Sequence, residues 1–477
     1  MNLVNLINVE PFIYGVCFNG KINLSILKGE NPTIIGANGA GKSKLADIIC
    51  GKVTIKSGEM NFSFLPKGVL FKKGTIIKAG FESAYTMADY SSMYYQQRFN
   101  ATENDFTPTV LDLLNKIDNP KKDFWIKKLK LESLFNKHLI MLSSGELRRF
   151  LIANILMQNP EIIIFDNPFI GLDIDTKHEL NQLFTEIANQ QEMIFIIPDP
   201  KEIPDVSKSV IPVKNMQVLS KISKEEFLSN KEFQQNLFPT LSIKNTTLPI
   251  PEHTDLKPFN IVAKLSNITI KYPTRTLFEN LNWTILQGEK WALTGKNGSG
   301  KSTLLSLITA DNPKAYNMDI TLFDKKRGTG ESIWDIKKRI GYISSEMHLF
   351  FRENQPCIKV VASGLFDTQG LYRQCNENQY EKALQIMKIF GIENLANNLF
   401  LKTSDGEQRL VLLARTMIKN PDLLILDEPL HGLDAINKNH AKNIINQYSM
   451  QKNRTIIIVT HNPENIPECI TKKFELL

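Results

Sequence analysis

The segment GANGAGKS at 36–43 recurs as GKNGSGKS at 295–302. Each fits G-x-x-x-x-G-K-[ST], in which glycines let the backbone curl until successive N–H groups point inward at phosphate oxygens. Such a loop works only between the end of a buried strand and the start of a helix. Both copies have that setting: apolar residues precede them at 33–35 and 291–293, and helix-like stretches follow at 45–49 and 304–308. The pattern therefore demands an α/β fold, twice. It places Gly36, Ala37, Asn38, Gly39, Ala40 and Gly41 around one set of phosphates. Gly295, Lys296, Asn297, Gly298, Ser299 and Gly300 surround another, with Thr303 just beyond. Lys42 and Lys301 would reach the β- and γ-phosphates, and the hydroxyls of Ser43 and Ser302 would ligate Mg²⁺. Two nucleotide sites follow.

The loop lysines lie 259 residues apart in a chain of 477, so each half carries its own copy of the machinery. The flanks agree without gaps: Lys28-Gly29-Glu30 precedes the first loop where Gln287-Gly288-Glu289 precedes the second. We expect two P-loop domains at 1–220 and 259–477, each of roughly 220 residues and large enough for its own core. A polar, proline-bearing connector at 221–258 with one short helix would join them. Strands alternating with helices predict mostly parallel sheets with the loops at strand C-termini. A helical subdomain is expected from the helix-rich stretches at 110–134 and 380–392.

Composition narrows the class. Apolar residues make up 42% and charged residues 22% of the chain, ordinary values for a globular protein. No apolar run approaches the ~18 residues that a membrane-spanning helix needs. The opening MNLVNLINVEPF lacks a basic segment followed by an apolar one, so no secretory leader is expected and the chain reads as cytoplasmic. Cys17, Cys50, Cys357, Cys375 and Cys469 show no metal-ligand spacing and are expected to be buried thiols. The net charge of +7 is modest. Basic clusters at 121–122, 127–130, 325–327 and 337–339 are interleaved with acidic and apolar residues, which favours solvated helix faces over a nucleic-acid patch.

About 100 residues after each loop comes a serine-glycine turn leading into an apolar helix, LSSGELRR at 142–149 and TSDGEQRL at 403–410. A buried strand ending in acid follows, EIIIFDN at 161–167 and DLLILDE at 422–428. Asp166 and Asp427 are placed to hold Mg²⁺ through its water shell, as a Walker B aspartate does. A Pro-x-x-Gly-Leu-Asp segment then occurs at 168–173 and 429–434.

This ordered set, present twice, resembles the ATP-binding cassette (ABC) superfamily over nearly the whole chain. The resemblance implies an ATPase with ATP and Mg²⁺ as ligands, its two cassettes paired head to tail. Each nucleotide would lie between the loop of one half and the serine-glycine of the other. Site two would then combine Lys301, Ser302, Asp427 and Glu428 with Ser143 and Gly145. Site one would combine Lys42, Ser43 and Asp166 with Ser404 and Gly406.

The two sites differ. Glu428 directly follows Asp427, where a carboxylate can act as general base. His461 ends the next strand 34 residues after Asp427, where a switch histidine would contact the γ-phosphate. In the first half the glutamate position holds Asn167, and Pro198 or a neighbour stands in place of the histidine; no histidine occurs between His178 and His253. Site one is expected to bind ATP and turn over slowly, and site two to hydrolyse. A glutamine that completes the Mg²⁺ shell has candidates in Gln96 and Gln97, with Gln97 preferred; the second half offers Ser345 or Glu346. For adenine stacking, Tyr272 stands before the second loop; the gapless counterpart is Ile13, so Phe12 or Tyr14 would substitute.

Several stretches resemble a narrower group, the twin-cassette ATPases associated with molybdate-transport operons (ModF type, also named photorepair proteins). They include GANGAGKSKLADIICG at 36–51, LITADNPKAYNMDITLF at 307–323, RGTGESIWDIKKRIGYISSEMHL at 327–349, DEPLHGLD at 427–434 and PECITKKFE at 467–475. Asn167 departs from the acidic residue expected there. The resemblance implies a link to transport through separate membrane permease subunits, on the inner face of the plasma membrane. The rival class is a twin-cassette ATPase acting on ribosomes or nucleic acid, which usually carries a longer, more charged helical linker.

Overall fold

The computed structural model describes residues 1–13, 17–66, 74–80, 108–139, 142, 144–170, 172, 174–238, 248, 258–272, 275–295, 299–344, 347, 351, 354–368 and 370–476. Its contacts divide the chain into two compact units: Met1–Ser92 with Thr102–Leu241 and Gly432–Ile436, and Met93–Ala101 with Ser242–His431 and Asn437–Leu477.

In the first unit the strands of the main sheet run in the order Ile222–Ser223, Ser209–Lys214, Thr33–Ile35, Glu192–Ile197, Ile162–Asp166, Ile76–Gly80. The last five of these are parallel. Their sequences are unbroken apolar runs because a parallel sheet is covered on both faces. Ile162, Ile163, Ile164 and Phe165 are fully buried, each contributing about 1.5–3 kcal/mol by leaving water. A separate antiparallel sheet orders Ile22–Leu27, Asn2–Phe12 and Thr54–Phe62. The helices Val110–Asn115, Lys122–Lys128 and Ser144–Leu156 share one apolar core with the sheet.

The second unit repeats the plan. Its parallel sheet runs Ile340–Ile343, Leu423–Asp427, Thr455–Val459, Lys290–Gly295, Lys472–Leu476. Its antiparallel sheet runs Arg275–Leu286, Ile261–Tyr272, Asp319–Leu322, Lys325–Lys326. Helices Cys357–Ala362, Glu377–Ile389 and Asp405–Met417 form the helical part. In both units the loop-bearing strand neighbours the strand that follows the acidic one in sequence, Glu192–Ile197 or Thr455–Val459, and that strand neighbours the acidic strand. Parallel pairing brings the three C-terminal ends to one edge of the sheet, the ligand edge of an open α/β sheet.

Three expectations need correction. Residues 222–237 of the expected connector are built into the first unit: Ile222–Ser223 pairs with Ser209–Lys214, and Phe227 and Leu237 are buried. Ser223 and Asn230 cap the helices Lys224–Ser229 and Lys231–Leu237, so polarity there marks helix starts, where two helices stand instead of one. Cys50 and Cys357 are buried thiols, as expected, but Cys17 is exposed. Within the basic clusters Arg327 and Arg339 are buried: Arg327 pairs with Glu331 at 2.6 Å, while Arg339 pairs with Asp422 at 3.2 Å and lies over the Phe259 ring. Charge runs in sequence do not distinguish a solvated lysine from an arginine held by a carboxylate and an aromatic face.

Candidate active site

Both loops carry the backbone that their glycines predict. Gly41 and Gly300 immediately precede the helices Lys42–Ile49 and Lys301–Ile308 and adopt φ of +108° and +95°. A side chain at either position would be strained. Gly36 is tight for another reason: a Cβ there would lie 2.1 Å from the carbonyl oxygen of Val213. Lys42 Nζ donates to the carbonyls of Gly36 at 2.9 Å and Ala37 at 2.8 Å, and Lys301 Nζ donates to Gly295 at 2.8 Å. Both ammonium groups thus fold back along their own loops. Ser299 Oγ is buried without a hydrogen-bond partner, an unspent hydroxyl within the second loop. Lys296, Asn297 and Gly298 lie outside the described residues.

The acidic strands end alike. Asp166 and Asp427 close Ile162–Asp166 and Leu423–Asp427, and the next residue turns left-handed in each: Asn167 at φ +51° and Glu428 at φ +51°. Asn tolerates that conformation, whereas Glu rarely adopts it, so the Glu428 carboxylate is held there at a backbone cost. Asn167 N–H donates to the Ile196 carbonyl at 3.0 Å, and Glu428 N–H to the Val459 carbonyl at 2.9 Å. Ile196 and Val459 are therefore equivalent, which aligns Ile197 with Thr460 and Pro198 with His461. The short helices Pro200–Glu202 and Pro463–Asn465 begin in step, capped by Asp199 and Asn462. Of the candidates at 198 and around it, Pro198 occupies the histidine position.

Around Glu428 the groups converge. Its Oε1 accepts from His461 N–H at 2.6 Å, its Oε2 accepts from Thr460 Oγ1 at 3.3 Å, and His461 Nε2 lies 3.9 Å from Oε1. Burial, reinforced by the adjacent Asp427, pushes the Glu428 carboxyl up to about 7 despite those hydrogen bonds. A base with that affinity can take a proton at neutral pH and give it up again. In the first half Ile197 has no hydroxyl and Pro198 no N–H. Asn167 Oδ1 is buried without a partner, the orphan that these two replacements leave.

Mg²⁺ is usually held by one or two carboxylates with substrate phosphates, and so needs no dedicated protein cage. Among the described residues no cluster of three or more acidic, His or Cys side chains that could hold a metal ion is found. Ser302 and the buried Asp427 fit such an ion, which when bound would neutralise charge between the β- and γ-phosphates. In the first half Ser43 Oγ donates to Asp166 Oδ2 at 3.3 Å, so these two groups already meet.

Ser404 caps the helix Asp405–Met417 in a box with Glu407, its Oγ donating to Glu407 Oε2 at 2.7 Å; Gly406 is buried in the first turn. Gly145 lies in the first turn of Ser144–Leu156, where a Cβ would meet Thr176 Cγ2 at 2.7 Å. Ser143, Gln96, Gln97, Tyr14, Ser345 and Glu346 lie outside the described residues, as does the Tyr272 side chain at the end of its strand. Phe12 is 65% exposed. Sequence reasoning missed Thr460, which only the strand alignment identifies. It also missed Arg148 and Arg409, buried on the two serine-glycine helices, where Arg148 donates to the Ile170 carbonyl beside the acidic strand. The doubled spacing of these arginines, three residues after each glycine, was a usable signal.

A phosphate loop at a parallel-sheet edge, flanked by an acidic strand end and present twice in one chain, defines a tandem P-loop ATPase. The ABC transporter family model matches residues 20–170 and 278–431, and the chain belongs to that family as a twin-cassette ATP-binding protein with ATPase activity. It is 32% identical over 95% of its length, and 92% of the relative's, to the ABC transporter ATP-binding protein ModF of Escherichia coli (strain K12). It is 27% identical, over 95% of this chain and 93% of the other, to an uncharacterized ABC transporter ATP-binding protein of Schizosaccharomyces pombe. Among solved structures, archaeal ribosome recycling factor aABCE1, in complex with ribosomal stalk protein aP1, matches with a TM-score of 0.54 at 18% identity. That match covers 98% of this chain and 86% of the other, a likeness of fold. Among the described residues no helix is long and apolar enough to cross a membrane.

Proposed function

We propose that the chain binds ATP at two loops and hydrolyses it, as its Mg²⁺ complex, mainly at the one built on Lys301, with Ser302 and Asp427 as metal ligands. Glu428 is the general base, and His461 supports it while facing the γ-phosphate. The loop built on Lys42, Ser43 and Asp166 retains nucleotide and turns it over slowly. The observation that carries this reading is the pair Glu428–His461, held at 2.6 Å through the His461 backbone N–H with the ring Nε2 3.9 Å away, against Asn167 and Pro198 in the same backbone positions. General acid–base catalysis contributes about 10²–10⁴-fold, so losing it separates a working site from a holding one.

The similarity to ModF supports a role as the ATP-binding component of a transport system, docking on separate membrane subunits. The Glu428→Gln chain, which would bind ATP without releasing it as product, is the bait that tests this. Co-purification of a membrane permease with ATP present supports the transport role. Recovery of ribosomal subunits instead would overturn it.

A further inference from the structure

Lys78 lies on the strand Ile76–Gly80, opposite Ile164 in the parallel pairing and two residues before the partner of Asp166. Its side chain, 16% exposed, reaches between two carboxylates: Nζ is 3.2 Å from Asp166 Oδ2 and 3.4 Å from Asp47 Oδ1. The same Asp166 oxygen accepts from Ser43 Oγ at 3.3 Å. An ammonium group thus already occupies the oxygen on which a metal would be expected.

The second half differs at both positions together. Tyr342 stands opposite Ile425, two residues before the partner of Asp427, where Lys78 stands in the first half. Ser306, five residues after Lys301, replaces Asp47, five after Lys42, and its hydroxyl donates to Thr303 O at 2.6 Å. At these two positions the first half thus places a cation and a second carboxylate, and the second half neither. A divalent ion held on that oxygen through its water shell would lie no more than about 8 Å from the ammonium, where like charges repel in a protein interior.

Resting on the reading that the first loop binds nucleotide, we propose that Lys78 supplies there the positive charge that Mg²⁺ supplies at the second. The first site would then hold its nucleotide without a divalent cation.

The test counts nucleotide and metal separately on the full chain, using AMP-PNP by equilibrium dialysis and Mn²⁺ by electron paramagnetic resonance. Two nucleotides and one Mn²⁺ per chain are expected. Lys78→Met should bind two Mn²⁺, and Lys78→Arg, which keeps the charge, should stay at one. In excess EDTA one nucleotide should remain with less than about a threefold loss of affinity, and Lys42→Ala should remove it; metal-dependent sites lose at least about tenfold, as expected for loss of a close charge pair. Should Lys78→Met fail to fold, the wild-type counts and the EDTA retention decide alone. Two nucleotides with two Mn²⁺ in the wild type would overturn this inference and leave the two-site reading standing. A single nucleotide per chain in Mn²⁺ would overturn both.

Discussion

Replacing Glu428 by Gln removes a base while leaving its surroundings almost unchanged. The amide oxygen can still accept the His461 N–H that now lies 2.6 Å from Oε1, so the strand ends keep their geometry. What disappears is a carboxylate that burial has pushed up to about 7, close to the operating pH. Loss of such a base costs about 10²–10⁴-fold in rate, or about 2.7–5.5 kcal/mol of transition-state stabilisation. Because Asn167 already leaves the first site without a base, that site cannot compensate. Steady-state phosphate release by the whole chain should therefore fall at least about a hundredfold. Binding of ATP, followed by a fluorescent analogue, should persist at both loops. Activity above about one tenth of wild type, with binding intact, would refute the assignment of the base. Loss of turnover in Lys42→Ala with normal turnover in Glu428→Gln would reverse the roles of the sites. The pH profile gives a second reading of the same group. A base must be ionised, so kcat/KM should rise with pH up to about 7 and level off above it, the fall below being close to tenfold per pH unit.

Other outcomes follow from the same contacts. A carboxyl raised in the folded state binds protons more tightly there than in the unfolded chain, so stability should decline as pH rises from the unfolded value of 4.5 through about 7. Glu428→Gln should remove that decline, raising stability at pH 8 by about 3 kcal/mol while changing little at pH 4, checked by thermal melts at both. In the Glu428→Gln background, Asn167→Glu with Pro198→His should restore turnover at least about tenfold, measured by phosphate release, because both rebuilt groups enter backbone positions matching Glu428 and His461. Gly300→Ala should abolish nucleotide binding at the second loop and cost about 1–2 kcal/mol in denaturant unfolding. Its φ is +95° and a Cβ would lie 2.6 Å from Phe278 Cε1.

The elements legible in advance are those whose chemistry is local. A loop that wraps phosphate needs its glycines, lysine and serine within eight positions, and the helix start follows at once, so Gly36 to Ser43 and Gly295 to Ser302 were evident. The acidic strand ends were evident too, since a fully buried parallel strand announces itself as an apolar run ending in charge. The antiparallel sheets and the helices Lys224–Ser229 and Lys231–Leu237 were not, because polar caps and half-buried alternation look like connector in a composition-based reading.

Residue by residue, the chain itself determined that two phosphate loops are present and that the position after each strand-end aspartate differs, Glu428 against Asn167. That much needs only covalent order. Which residue replaces the histidine required the carbonyls of Ile196 and Val459, whose matching hydrogen bonds align Pro198 with His461. Lys78 required still more. It lies 88 residues before Asp166, and only the parallel pairing of Ile76–Gly80 with Ile162–Asp166 brings its ammonium to that carboxylate. Sequence carries the donors and acceptors; pairing between distant strands decides which of them share an oxygen atom.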